Sequence, residues 1–241
     1  MPDLHLTPSV LIKRLILYCL GLFIIALGVS FSVVSDLGVS PVNSLPYVLS
    51  EVFQTDMGIW TIAVFCFYIL LQALILRRRF HPARLLQLIC TFLFGWFVDL
   101  TNLLAQLLLP QPGNYFVRLV YLVISMALVA LGIFFYLGPH LVSLPGEGIM
   151  QTISEQWNIP FHRVKIGFDC TVSILALVIS LAYFHTFHGV REGTVLAAIG
   201  VGKFLGLYAK LFRVGLNRIM ELHEDLTELV SAKSKGVPEH V

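Results

Sequence analysis

The chain has 241 residues, of which 57% are hydrophobic and 12% are charged, and its formal net charge at pH 7 is +2. Soluble globular domains carry about 25% charged residues, so this chain has too few charges to cover a water-facing surface. The composition excludes an ordinary soluble domain and indicates an integral membrane protein whose main solvent is lipid.

Six stretches of the chain are long and apolar enough to cross a bilayer, which takes about 20 helical residues. Helices are expected rather than barrel strands, because the apolar runs are continuous and do not alternate with polar residues. The predicted spans are residues 11–34, 58–76, 85–109, 117–138, 164–184 and 194–212.

The distribution of lysine and arginine predicts how these spans are oriented. With the N-terminus in the cytoplasm, all but three of the 16 lysine and arginine residues lie at or beyond cytoplasmic helix ends, the exceptions being Arg118, Arg191 and Lys203. Because cytoplasmic loops are enriched in these residues, both termini are predicted to be cytoplasmic. The basic stretch at 77–84 is interpreted as a topology signal that contacts anionic headgroups, so no nucleic-acid partner is predicted.

The first half of the chain is similar to the second half at a constant displacement of 104 residues, which pairs Pro41 with Pro145. Residues 11–109 and 117–212 are therefore predicted to be two membrane repeats. Each repeat holds three spans, an odd number, so the second copy must enter the membrane from the opposite side. The predicted fold is an all-α polytopic membrane protein with six transmembrane helices in two inverted three-helix repeats.

Two terminal segments complete the predicted domain plan. Residues 1–10 form an N-terminal cytoplasmic segment. Residues 213–241 form a cytoplasmic amphipathic helix followed by a tail, because apolar residues recur at helical spacing among charges before the sequence turns polar.

A short amphipathic segment separates the first and second spans of each repeat, at residues 41–54 and 145–157. Both segments are too apolar for plain loops and too interrupted to span. Pro41 and Pro145 suit the first turn of a helix, where a missing N–H costs nothing. Two placements stay open: a helix lying in the membrane interface, and a re-entrant half-helix buried in protein.

Two charged side chains fall near the middle of predicted spans, where charge is costly and indicates function. Asp99 lies just past the middle of the third span, and Lys203 lies at the middle of the sixth, its repeat equivalent. We expect them to pair or to line one polar cavity near mid-membrane. The alternative is that Lys203 extends to an interface while Asp99 bonds Thr101 or Asn102.

Other polar residues add to the predicted binding site. Lys165 and Asp169 are four apart and share a helical face, so they form either an intrahelical pair or a ligand contact. Glu147 lies between two glycines, which permit close backbone approach, and Asn43 is its repeat counterpart. Thr194 opens the sixth span, where it is either a packing residue or part of a helix N-terminus that faces an anion.

Motifs for catalysis or for a bound cofactor are missing from the sequence. It contains no HExxH, GxSxG, Walker A or GxGxxG pattern, and its cysteines form no CxxC or zinc-like spacing. No catalytic residue, metal or cofactor is predicted, and the chain is not expected to be an enzyme.

The stretch from Gly28 to Ser50, which ends in LGVSPVNSLPYVLS, resembles the YitT/YczE group of bacterial integral membrane proteins. The PGEG stretch at 145–148, the Asp169 helix and the GTV opening at Gly193 add to the resemblance. It implies a polytopic helical fold in the bacterial cytoplasmic (inner) membrane. It implies no substrate and no catalytic residue.

These features predict a small secondary transporter or permease for a small polar or charged solute, embedded in the lipid bilayer. The residues predicted to bind the solute or an ion are Asp99, Lys203, Glu147, Asn43, Asp169 and Thr194. The alternative is a non-transporting accessory or scaffold protein that holds a partner through its C-terminal helix. A homo-oligomer is compatible with either function.

Overall fold

The computed structural model describes residues 8–77, 80–139, 141–186 and 189–219, and within these ranges every regular element is helical. A short 3-10 helix, Pro82–Leu85, precedes the fourth α-helix. The α-helices of the described ranges are α1 (Pro8–Ser35), α2 (Pro41–Phe53), α3 (Met57–Leu76), α4 (Leu86–Leu108), α5 (Tyr115–Leu137), α6 (Pro145–Trp157), α7 (Phe161–Phe184) and α8 (Glu192–Ile219).

Five helices of the described ranges are long and apolar enough to cross a membrane, namely α1, α3, α4, α5 and α7. They coincide with the first five predicted spans to within a few residues. The sixth predicted span lies on α8, which is not among the five and which carries Lys203 and Lys210. An all-helical chain with several membrane helices is therefore confirmed for the described residues, and the six-span count stays a prediction.

The described residues include only part of the predicted C-terminal segment, residues 213–241. α8 continues through Phe212 without a break and ends at Ile219. Residues 1–7 and 220–241 lie outside the described residues, together with most of the predicted amphipathic helix. The scaffold alternative, which depends on that helix, therefore stays a prediction.

The short helices α2 and α6 begin and end in the same way. Each starts with a proline, which suits the first helical turn. Each is followed by a residue in the left-handed conformation, Gln54 (φ 54°) or Asn158 (φ 51°), whose N–H bonds the carbonyl of Ser50 or Ser154. A left-handed residue at this position ends a helix. Both helices are consequently 13 residues long, too short to cross a bilayer.

Both short helices are enclosed by other helices. α2 packs mainly against α7 and α3, whereas α6 packs mainly against α3 and α7. Residues 43–46 of α2 and residues 148–150 of α6 are buried without interruption. Consecutive buried residues point to different sides of a helix, so protein surrounds the first turns of both helices. This burial favours the re-entrant placement over a helix that rests in the membrane interface.

α1 and α5 form the centre of the bundle, because their backbones touch. A Cβ built on Gly132 would lie 2.6 Å from the backbone nitrogen of Ile25, and one built on Gly28 would lie 2.8 Å from the backbone nitrogen of Val129. Small residues at a helix crossing permit this approach, and the packing contacts that it brings hold helices together in lipid.

The remaining long helices flank the central pair. α4 packs against α1, and α8 packs against α5. α3 and α4 also pack along each other, whereas α7 and α8 do not pack to a comparable extent. α7 is correspondingly the least buried of the five candidate spans. The two halves of the chain thus use equivalent helices with unequal packing.

Gly132→Ala is expected to lower the thermal stability of the purified protein in detergent by about 1–3 kcal/mol, since its methyl group would overlap the backbone of α1. Gly202→Ala is the matched control, because a Cβ there meets no atom within 4 Å. Thermal unfolding of both variants checks the prediction. Equal melting temperatures for the two would contradict a backbone contact between α1 and α5.

Candidate functional site

A group of ionisable side chains lies where α3, α5, α6 and α7 meet, and we call it the carboxylate cluster. Its members are Glu147 on α6, Lys165 and Asp169 on α7, Tyr68 on α3, and Tyr136 on α5. The interactions among its charged members lie within the second half of the chain, and the contact between the rings of Tyr68 and Phe168 joins the cluster to the first half. Glu147 and Asp169 were predicted as site residues; Asp169 pairs with Lys165, and the charge of that lysine also acts on Glu147.

Glu147 lies in the first turn of α6 and is partly buried. Its Oε2 accepts a hydrogen bond from the hydroxyl of Tyr136. Tyr136 as a whole residue is 1% exposed. The oxygen of that hydroxyl accepts a hydrogen bond of 3.0 Å from the backbone N–H of Leu144, so the phenol is held from both sides. Burial raises the pKa of the Glu147 carboxyl to about 7, and the positive charge of Lys165 acts in the opposite direction.

Lys165 forms an ion pair with one carboxylate, and its charge acts on a second. Its Nζ lies 3.1 Å from Oδ2 of Asp169, in the i,i+4 relation that the sequence indicates, and its charge also acts on Glu147. The Lys165 side chain is 47% exposed, whereas that of Asp169 is 15% exposed. Oδ1 of Asp169 is buried and has no hydrogen-bond partner. The pair is therefore only half satisfied within the protein.

Tyr68 adds a second polar atom without a partner. Its side chain is 3% exposed, and its ring packs edge-on against Phe168 with centroids 5.2 Å apart. The hydroxyl is buried and makes no hydrogen bond. Since buried polar atoms are normally hydrogen-bonded, the unpartnered atoms of Tyr68 and Asp169 indicate a position that is completed by water, an ion or a ligand.

A second polar group, the amide cluster, lies beside the first turns of α6 and consists of Gln72, Gln87, Arg84 and Thr152. Gln72 Nε2 donates to Gln87 Oε1 at 3.1 Å, and Arg84 donates to Gln72 Oε1 at 3.2 Å and to Thr152 Oγ1 at 2.7 Å. Gln72 and Gln87 are almost fully buried. These bonds tie α6 to α3 and to the start of α4.

The glycines on either side of Glu147 have different neighbours. A Cβ on Gly148 would lie 2.7 Å from Nε2 of Gln87, and one on Gly146 would lie 3.1 Å from Cγ1 of Val42 on α2. The missing side chain at Gly148 therefore leaves room for the amide cluster, and the missing side chain at Gly146 leaves room for α2. This is the close approach that the Gly-Glu-Gly sequence indicates.

Asp99 and Lys203 do not form the expected pair in the described part of the chain. Asp99 Oδ1 accepts a hydrogen bond of 2.5 Å from the backbone N–H of Gly58, in the first turn of α3. Lys203 is exposed on α8. α4 packs against α1 and α3, whereas α8 packs mainly against α5, so the two charges belong to different helix contacts. Asp99 caps a helix N-terminus, a role that favours a carboxylate.

Asn43 and Thr194 have local partners. Asn43 Nδ2 donates to Ser40 Oγ at 2.9 Å, while its buried Oδ1 has no partner. Thr194 Oγ1 donates to the Gly189 carbonyl at 3.4 Å and accepts from the Arg191 N–H at 3.3 Å. Both residues support the turns beside them, and their predicted binding roles stay predictions.

A third charged group joins the end of α1 to the starts of α5 and α8. Asp36, in the left-handed conformation with φ 52°, lies 2.7 Å from Arg118 and 3.3 Å from Arg191. Arg191 also donates to the carbonyl of Asp36 at 2.7 Å. These are the two arginines predicted to lie outside the cytoplasm, and both contact the same aspartate.

Several residues of these groups were missed by the sequence prediction. Gln72 and Gln87 could have been recognised from the sequence, because an amide side chain inside an apolar helix needs a buried hydrogen-bond partner. Tyr68 and Tyr136 could not, since tyrosine is common in apolar runs. Their importance follows from which helices meet, and that is a tertiary property.

The long apolar helices, the two enclosed short helices and the interior charges together define a multi-pass helical membrane protein. The chain belongs to the family described as "Family of unknown function (DUF6198)", whose sequence model matches residues 12–210. This match, together with the relatives given next, confirms the resemblance to the YczE group.

Curated relatives cover most of the chain. The "Uncharacterized membrane protein YczE" of Bacillus subtilis (strain 168) is 27% identical over 198 residues, which is 81% of this chain and 85% of that protein. An "Uncharacterized protein" of Haemophilus influenzae is 25% identical over 83% of this chain and 86% of its own length. YyaS of Bacillus subtilis (strain 168) is 27% identical over 79% and 90%. No solved structure matches the chain.

The raised pKa of Glu147 predicts a pH-dependent stability. A carboxyl whose pKa is higher in the folded state binds its proton more tightly there, so the proton stabilises the fold. The full contribution is present at a pH below the ordinary pKa of 4.5, and it is lost as pH rises through the folded-state pKa of about 7. At 1.36 kcal/mol per pH unit the loss is about 3 kcal/mol. Thermal unfolding between pH 4.5 and 8 should show this loss in wild type and a flatter profile in Glu147→Gln. Equal slopes for the two proteins would refute it.

The capping role of Asp99 predicts a difference between two substitutions. Asp99→Asn keeps an oxygen that accepts from Gly58 and should change stability little. Asp99→Leu removes the acceptor and should lower stability by about 1–2 kcal/mol, as for the loss of a helix cap. Thermal unfolding of the pair checks this, and equal losses for both substitutions would show that the charge matters rather than the hydrogen bond.

Proposed function

We propose that the chain is a small secondary transporter for a small polar or charged solute, and that its solute site is the carboxylate cluster. The observation that carries the proposal is the position of this cluster. Glu147 lies on a short enclosed helix of the second half, and its cluster includes Tyr68 from the first half. In transporters built from repeats, sites lie at the repeat interface and use interrupted helices.

We further propose that six spans form two inverted repeats, with both termini on the cytoplasmic side of the bacterial inner membrane. Reciprocal contacts support this arrangement. Gly28 approaches Val129, and Gly132 approaches Ile25; each contact becomes the other when the residue numbers are exchanged across the 104-residue displacement. Val42 and Gly146 are equivalent positions and lie against each other. A two-fold axis between the halves produces both patterns.

Crosswise packing of the short helices supports the same axis. α2 of the first half packs against α7 of the second, and α6 of the second packs against α3 of the first. Unequal packing elsewhere supports movement of one half relative to the other. α3 packs along α4, whereas their equivalents α7 and α8 do not pack to a comparable extent. Two equivalent halves in different arrangements are suited to alternating access, in which one unit rocks against the other.

The proposal predicts that ligand binding depends on Glu147. In a thermal-shift screen of the purified full chain in detergent, small charged and polar metabolites and ions are tested on wild type and Glu147→Gln. The matched control is Glu155→Gln, because Glu155 lies on the same helix with a 56% exposed side chain. A ligand should stabilise wild type and the control but not Glu147→Gln, since binding to the folded state raises its stability.

The same ligand should then accumulate in proteoliposomes that contain wild type or Glu155→Gln. Uptake in Glu147→Gln vesicles should fall to the level of empty vesicles. Stabilisation of all three proteins to the same extent, or uptake that is unchanged by Glu147→Gln, would contradict the assigned site.

A further inference from the structure

The charges of the carboxylate cluster do not balance. With Glu147 and Asp169 ionised and Lys165 protonated, the cluster carries one net negative charge. A buried net charge is costly, so such a site reaches its stable form by taking up one positive charge. A proton on Glu147 supplies that charge, and so does one monovalent cation.

Neighbouring groups leave this balance unchanged. The other titratable side chains that face Glu147 are the phenols of Tyr136 on α5 and Tyr18 on α1, both uncharged. The phenol of Tyr68, on α3, is also uncharged. Arg84, beside later turns of α6, has Glu155 at 3.8 Å as its counter-charge. Arg14 on α1 is also buried, but the cation that acts on the Glu147 carboxyl is Lys165.

The unpartnered atoms of the cluster suit a cation. Asp169 Oδ1 and the oxygen of the Tyr68 hydroxyl are buried oxygens without hydrogen-bond partners. Oxygen atoms are the ligands that hard cations prefer. The rings of Tyr68 and Phe168, packed edge-on, add an aromatic surface, which favours an organic ammonium. An anion would meet two carboxylates, and a divalent cation would leave the cluster with one excess positive charge.

We infer that the carboxylate cluster exchanges one proton on Glu147 for one small monovalent cation, either an alkali-metal ion or a small ammonium, an inference that rests on the proposed transporter function. When the cation binds, the O–H bond of the Glu147 carboxyl breaks and the proton leaves to water. The cation then neutralises the carboxylate that remains. The reverse transfer releases the cation, and no other reactant is required.

The hydrogen bonds around Glu147 prepare it for this exchange. The Leu144 N–H holds the Tyr136 oxygen, so the Tyr136 hydroxyl hydrogen is directed at Oε2 of Glu147. This leaves Oε1 to carry the proton. A carboxyl that titrates near pH 7 gains and loses its proton within the physiological range.

The test uses the full chain in phosphatidylethanolamine–phosphatidylglycerol vesicles with a trapped pH-sensitive dye and an imposed pH difference. Lithium, sodium, potassium and tetramethylammonium chlorides are added separately, so that alkali-metal and organic cations are distinguished. At least one of them should speed the collapse of the pH difference about tenfold over empty vesicles. Glu147→Gln should abolish the effect and Glu155→Gln should retain it. Clamping the membrane potential should not change the rate, because one-for-one exchange moves no net charge.

Tyr68→Phe provides a second variant whose folding is not at risk, since the lost hydroxyl has no partner in the fold. The concentration of cation that gives half the maximal rate should rise about tenfold. A rate and a half-maximal concentration equal to those of wild type would overturn the assignment of the hydroxyl as a ligand and with it the proposed cation position.

The outcomes separate this inference from the proposed function. Binding and uptake of a neutral or anionic solute that depend on Glu147, without cation-driven proton movement, would overturn the exchange and leave the transporter intact. Failure of every cation in the vesicles, together with no ligand in the thermal-shift screen that distinguishes Glu147→Gln, would overturn both.

Discussion

The backbone contact between α1 and α5 is the constraint on which the rest of the structure depends. Gly28 and Gly132 bring the two helices so close that a methyl group at either position would meet main-chain atoms. In lipid there is little hydrophobic gain from bringing helices together, so close packing of this kind must provide the association. α4 then packs against α1 and α8 packs against α5, while the two short helices pack mainly against α3 and α7.

Three acidic side chains act at the ends of helices. Glu147 lies in the first turn of α6, Asp99 caps the first turn of α3, and Asp36 follows the last turn of α1. The exposed N–H groups at a helix N-terminus favour a carboxylate, which suits Glu147 and Asp99, whereas Asp36 is held by Arg118 and Arg191. The carboxylate cluster differs from the other two sites because one of its own carboxylate oxygens, Oδ1 of Asp169, is buried without a partner. That difference separates a place that can accept a ligand from places that complete the fold.

The sequence predicted the elements well and the partners less well. Apolar length located α1, α3, α4, α5 and α7, and proline located the starts of α2 and α6, because both signals are local. The i,i+4 spacing of Lys165 and Asp169 also predicted their contact. Asp99 and Lys203 were expected to pair or to line one polar cavity; Asp99 bonds Gly58 instead of Lys203, and their binding role stays a prediction. No local pattern reports which helices meet. Tyr68 and Tyr136 were missed for the same reason.

The reciprocal glycine contact has a consequence for the origin of the chain. Gly28 against Val129 and Gly132 against Ile25 are one contact made twice by equivalent positions. With the halves inverted, as proposed, a single ancestral repeat would make the same contact with an upside-down copy of itself. A short protein that inserted in both orientations would thus already have had a stable antiparallel dimer. Duplication and fusion of its gene would have joined an existing assembly, after which each half was free to acquire its own side chains, such as Glu147 in one and Asn43 in the other.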